Sequence, residues 1–82
     1  MNRYLLKDGQ SNICGHKIKR LRESLPNKIS QRKFAEMLQM EGLQADRNVV
    51  NRIEMGKRAV TDIELRTIVK VLGVTYEDLL ED

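Results

Sequence analysis

The stretch from Ser30 to Arg58, SQRKFAEMLQMEGLQADRNVVNRIEMGKR, constrains the fold more than any other part of the chain. Ser30 is a good N-cap for a helix whose apolar stripe is Phe34, Ala35 and Leu38, with Met37 at the margin. Gly42 stops that helix, as a residue in a left-handed C-terminal position does. Leu43 and Ala45 are expected to turn inward. Asp46 then caps a second short helix, running to about Met55, which Val50 and Ile53 anchor to a core. Gly56 ends it, and the basic pair Lys57-Arg58 follows. The pattern reads as two short helices joined by a turn, with a basic loop behind them.

The remaining segments read as the scaffold for this unit. Cys14, Ile18, Leu21 and Leu25 recur at helical spacing, forming one stripe of an amphipathic helix. Asn12 or Ser11 is placed to cap it, and Pro26-Asn27 ends it, because proline disfavours helical geometry in the residue before it. Downstream, Thr61-Asp62-Ile63-Glu64 matches the S/T-x-x-E capping box. Leu65, Ile68, Val69 and Leu72 form the stripe of that helix, and Gly73 stops it. Thr75-Tyr76-Glu77-Asp78 opens a last short helix carrying Leu79 and Leu80. The expectation is an all-α, compact five-helix domain over residues 12–82, preceded by an N-terminal arm, 1–11, that shows no period. There is no strand signal, repeat or low-complexity segment.

Composition narrows the function. Eighty-two residues support one domain and a modest core, not a deep catalytic cleft. Phe34 is the only Phe and Trp is absent, so the core must be aliphatic. The apolar runs are too short for a membrane span, and the N-terminus lacks the apolar stretch of a signal peptide. A cytoplasmic location is expected, in agreement with the single Cys14, which permits no internal disulfide. Cys14 and His16 fall short of a zinc set, and Cys14 reads better as a small core residue. No cofactor or metal is expected. No nucleophile–base set, glycine-rich phosphate cradle or paired-carboxylate cleft stands out, so the chain is not read as an enzyme.

The net charge of +3 is unevenly spread. Lys17, Lys19, Arg20, Arg22, Lys28, Arg32 and Lys33 face only Glu23 between His16 and Lys33. Asp62, Glu64, Glu77, Asp78, Glu81 and Asp82 dominate the C-terminal part. The chain thus reads as having a basic front and an acidic back. A charge run alone is usually a solvated face. Here it lies beside a short helix that carries Arg47, Asn48, Asn51 and Arg52 on its non-core positions. Arg pairs with the guanine edge and Asn with the adenine edge, so this helix can read DNA.

With these elements placed, the chain resembles the Cro/repressor, or XRE, type of helix-turn-helix domain from about Ile13 to Leu80. IKRLRES resembles the family's first helix, SQRKFAEML its second, NRIEMGKR the end of its third, and DIELRTIVKVLGVTYEDLL its fourth and fifth. One departure is plain: about five extra residues, around Met40-Glu41-Gly42-Leu43-Gln44, lengthen a turn that is normally tight. The resemblance implies that Arg47, Asn48, Asn51 and Arg52 face DNA, with Arg47 and Asn48 at base edges and Arg52 within reach of a base or a phosphate. It places Ser30 and Gln31, at a helix N-terminus that favours anions, on the sugar-phosphate backbone; Ser30 serves equally as a plain cap. Lys57 and Arg58 are expected to pair with phosphates. Arg22 and Glu54 stand where the family commonly has an ion pair, and both lie at the edge of a core stripe. Asp46 brings negative charge close to the DNA; it points away, accepts from cytosine N4 or orients Arg47.

Two functions are consistent with this reading. One is a sequence-specific, double-stranded-DNA-binding transcriptional regulator, a repressor, working as a homodimer because a single helix reads only a few base pairs. Leu5, Leu6, Leu79 and Leu80 are candidates for the dimer contact, or equally for the monomer core. The alternative is an antitoxin-like module that binds a protein partner through its acidic half and also binds its own promoter.

Overall fold

The computed structural model describes residues 9–26 and 28–81. These residues form five helices: α1 (Gly15–Ser24), α2 (Gln31–Met40), α3 (Arg47–Glu54), α4 (Asp62–Leu72) and α5 (Tyr76–Leu80). The described part is all-helical, and the reading of five helices holds. Met1 to Asp8, most of the arm and with it Leu5 and Leu6, lie outside the described residues, as do Asn27 and Asp82.

Each helix starts where a side chain relieves its unpaired backbone amides. Ser30 Oγ accepts from the Lys33 N–H at 3.0 Å, and Asp46 Oδ1 from the Val49 N–H at 2.8 Å. Thr61 and Glu64 close a reciprocal capping box on α4, and Thr75 and Asp78 do the same on α5. Asn12 serves α1 from two residues before Cys14, the helix's N-cap position. Its Oδ1 accepts from the Cys14 and Gly15 amides at 3.1 and 2.8 Å.

The ends are as local as the starts. Gly42, at φ 90°, turns the chain after α2, and the Leu43 N–H bonds back to the Leu38 carbonyl at 3.1 Å. This paired closure needs a left-handed residue at that point, which glycine adopts without a Cβ penalty. The lengthened connection, 41–46, is therefore a helix stop followed by an extended segment. It is held down by Leu43, packed against the core, by buried Ala45, and by Gln39 Nε2, which donates to the Ala45 carbonyl at 2.7 Å.

The core is aliphatic around one aromatic ring. Phe34, Ile18, Leu38, Val50, Ile68 and Leu79 are its largest fully buried side chains. α3 packs on both α1 and α2, α4 on α2, and α5 on α1 and α4. Leu79 thus completes the monomer core, whereas Leu80 is exposed. Leu21 and Leu25 pack at the core margin. Cys14 is buried, and burial pushes its thiol pKa up, which keeps it neutral and inert.

The packing of α1 against α5 redraws the charge map. Lys17 Nζ donates to the Glu81 carbonyl, and Lys17 and Arg20 share a groove with Glu77, Asp78 and Glu81. Part of the basic front therefore lies against the acidic back. Charge runs in sequence do not reveal this, because the two helices are far apart along the chain.

Candidate nucleic-acid interface

Val50 and Ile53 are buried on one side of α3. The helix periodicity then turns Arg47, Asn48 and Arg52 to solvent, where all three are exposed. Among the described residues none of the three has a side-chain partner, so their donors face outward. Asp46, just before them, spends one carboxylate oxygen on the helix cap.

Asn51 differs from these three. It is half-buried, and its Oδ1 accepts from Gln31 Nε2 at 3.2 Å. The same Gln31 nitrogen donates to Glu54 Oε1 at 3.0 Å. Glu54 in turn is held in a two-bond ion pair, Arg22 Nε to Oε2 at 2.7 Å and Arg22 Nη2 to Oε1 at 2.9 Å. Arg22 Nη1 adds a bond to the Ile29 carbonyl at 2.7 Å. Both charged residues are nearly out of solvent, at 6% and 7% exposure. Arg22 and Glu54 thus join α1 to α3, and Gln31 extends the link to α2. No buried side-chain nitrogen or oxygen among the described residues is left unpartnered. That condition makes a buried polar network tolerable.

The basic loop is divided in its roles. Lys57 is exposed, and its backbone N–H closes α3 on the Arg52 carbonyl at 2.8 Å. Arg58 turns the other way. Its guanidinium forms two 2.9 Å bonds to Glu64, and Nη1 also donates to the Ala59 carbonyl. A phosphate contact from Arg58 has to share that group with Glu64. Ser30 is exposed at the start of α2, with Arg32 and Lys33 exposed in the first turn behind it. Among the described residues no group of three His, Cys, Asp or Glu side chains is placed to hold a metal, and no helix is long and apolar enough to cross a membrane.

The Arg58–Glu64 pair carries a pH signature. The Arg58 hydrogen bonds hold the Glu64 carboxyl below the ordinary glutamate range, against the opposing effect of burial. A depressed folded-state pKa gives stability that is present above the unfolded value, about pH 4.3, and is lost as pH falls through the folded value. Acid unfolding followed by circular dichroism should therefore show a stability loss below about pH 4.3 that Glu64→Gln makes shallower. An unchanged acid limb in that variant would show that the pair contributes nothing to folding.

Sequence alone assigns Asn12 only a capping role and Gly15 none, yet both reach the end of α3. Asn12 Nδ2 donates to the Ile53 carbonyl at 3.0 Å and to the Arg58 carbonyl at 2.8 Å, clamping the end of α3 and the basic loop to the start of α1. Gly15 lets α1 approach the end of α3 so closely that an added Cβ meets the Ile53 carbonyl oxygen. The available signals were an asparagine before a helix and a glycine in its first turn, and neither identifies a partner some forty residues away.

A family model for a helix-turn-helix domain matches residues 18–79, which includes all of α2, α3 and α4. No curated protein and no solved structure matches the chain. The family match covers most of the sequence and agrees with the five-helix arrangement, the capped second helix and the outward-facing third. The chain belongs to the XRE-type helix-turn-helix family of DNA-binding regulators.

Proposed function

We propose that this protein is a sequence-specific regulator that places α3 in the major groove of double-stranded DNA and acts as a repressor. The observation that carries the reading is the division of α3: Val50 and Ile53 are buried, while Arg47, Asn48 and Arg52 are exposed and unpaired among the described residues. Arg47 and Asn48, in the first turn, are assigned to base edges, and Arg52 to a base or a phosphate. Asn51 belongs to the same surface. Lys57 and the N-terminus of α2, with Ser30 and Gln31, are assigned to phosphates, which set register and affinity without carrying sequence. Arg58 is a weaker phosphate ligand because Glu64 already holds it. Repression requires only occupancy of the operator, and a two-fold operator bound by a homodimer extends the few base pairs one helix reads. The exposed Ile63, Tyr76 and Leu80 are the apolar groups of α4 and α5 open to such a contact. The antitoxin-like alternative is less well supported, since α1 cations already line the groove beside the acidic residues of α5.

Selection of duplexes from a random pool, at two salt concentrations, tests the reading. Arg47→Ala should cost about 1–3 kcal/mol and relax the preference at one position of the selected motif. Lys57→Ala should weaken all duplexes alike and lower the salt slope by about one. Binding without any preferred sequence would overturn the assignment of α3 as a reading helix. An inverted repeat in the motif is the expected sign of the homodimer.

A further inference from the structure

A hydrogen-bond chain has a fixed polarity when one of its ends can only accept. Glu54 is such an end, because its ionised carboxylate, held by Arg22, has no proton to offer. The Gln31 amide, 3.0 Å from Glu54 Oε1, must therefore present its NH2 group. That same nitrogen lies 3.2 Å from the Asn51 side chain. A nitrogen of Asn51 placed there would set donor against donor, so Asn51 has to turn its oxygen inward. What Asn51 keeps for the outer surface is Nδ2, whose contact is the weak acceptor Met55 Sδ at 3.5 Å. Both Gln31 protons are committed inside, so its side chain has only Oε1, an acceptor, to offer outward. Its backbone N–H, in the first turn of α2, is the donor it can give a phosphate.

We propose that Gln31 is a positioning residue whose relay from the buried ion pair fixes Asn51 as an outward hydrogen-bond donor. Asn51 then takes an acceptor on the DNA, either a base acceptor (purine N7, guanine O6 or thymine O4) or a phosphate oxygen. It is set against the paired donor and acceptor edge of adenine, which needs the asparagine oxygen as well. The inference rests on the DNA-binding reading above and adds to it a direction for one side chain.

A double-mutant cycle on the duplex selected by the wild-type protein tests it. Gln31→Met, close in size but without the amide, should weaken binding roughly threefold to tenfold, the worth of one hydrogen bond. In an Asn51→Ala background it should weaken binding no further. Equal losses in the two backgrounds would mean that Gln31 meets the DNA by itself, and would overturn the proposal. Where Asn51 meets a base, reselection with Gln31→Met should raise the share of adenine at that position, because a released amide can pair with both N7 and N6, an effect that loss of stability alone does not produce. Single 7-deazapurine and methylphosphonate substitutions then separate a base N7 from a phosphate as the acceptor. Thermal melts of each variant confirm folding. In the free protein, nitrogen-resolved NMR should show both Gln31 side-chain amide protons hydrogen-bonded; finding instead that an Asn51 amide proton is donated to Gln31 would reverse the polarity and overturn the relay without any DNA present. If the wild-type protein selects no duplex, the DNA-reading conclusion fails and the outward role of Asn51 fails with it, whereas the amide spectrum judges the relay separately.

Discussion

Glu54→Ala should destabilise the domain by about 3–5 kcal/mol, the cost of leaving a buried charge without its partner. Arg22 is 6% exposed and donates two of its three side-chain hydrogen bonds to Glu54; only the bond to the Ile29 carbonyl would remain. The variant also strips Gln31 of the acceptor that fixes its amide. For a domain of this size each kcal/mol moves the melting temperature by about 4–8 °C, so a fall of at least about 12 °C is expected. Total stabilities of about 5–15 kcal/mol make this a large fraction of what holds the fold. The comparison that interprets the number is the double variant Arg22→Met/Glu54→Leu. Replacing a whole buried pair by apolar groups is often close to neutral, so the double should recover most of the loss. Urea unfolding of wild type, Glu54→Ala, Arg22→Met and the double measures this. Singles that unfold like the wild type would show that the pair is open to water in solution. A double that folds well but reads DNA poorly would assign the pair to positioning α3 rather than to stability.

The parts of this molecule that were legible in the sequence are those governed by near neighbours. The stripe of Phe34, Ala35 and Leu38, the inward Val50 and Ile53, and Ile68, Val69 and Leu72 all follow from helical period, and all are buried. Ser30, Asp46 and Thr61 act as caps because the amides they serve lie three residues on. What stayed hidden depends on which helix packs against which. Arg58 looks like a free cation beside a reading helix until α4 brings Glu64 to it. The Gln31 side chain looks free to meet a phosphate until α3 brings Asn51 and Glu54 to its amide nitrogen, which leaves the backbone N–H for that contact. Lys17 belongs to a basic run until α5 lays Glu81 alongside. In each case the residue type was informative about chemistry, but whether its donors were free or spent was a tertiary property. The same limit explains why Leu79 and Leu80 were equivalent on the page and are not in the fold, one fully buried and the other exposed.

Gly15→Ala should destabilise the protein by about 2 kcal/mol or more, although the same exchange in a helix ordinarily gains up to about 1 kcal/mol from propensity. The sign is set by what the new methyl carbon meets. It would lie under 3.0 Å from the Ile53 carbonyl oxygen, closer than real Cβ atoms come, and 3.1 Å from that of Glu54. These are backbone atoms in the last turn of α3, so no side-chain rotation relieves the clash; the start of α1 and the end of α3 have to separate. Asn12 opposes that separation, because it bonds the Gly15 amide with its oxygen and the Ile53 carbonyl with its nitrogen. Strain therefore falls on the same contacts that fix the tilt of α3, and weaker DNA binding should accompany the lower stability. Gly73→Ala is the control, since that glycine is conformationally special, at φ 70°, as Gly15 is not, and has open space around it. There only the backbone penalty of about 1–2 kcal/mol applies, with no displacement of α3. Urea unfolding together with binding to the selected duplex distinguishes the two. If Gly15→Ala proves as stable as the wild type and binds as tightly, α1 and α3 have room between them in solution, and the close approach of the two helices is not what orients the reading surface.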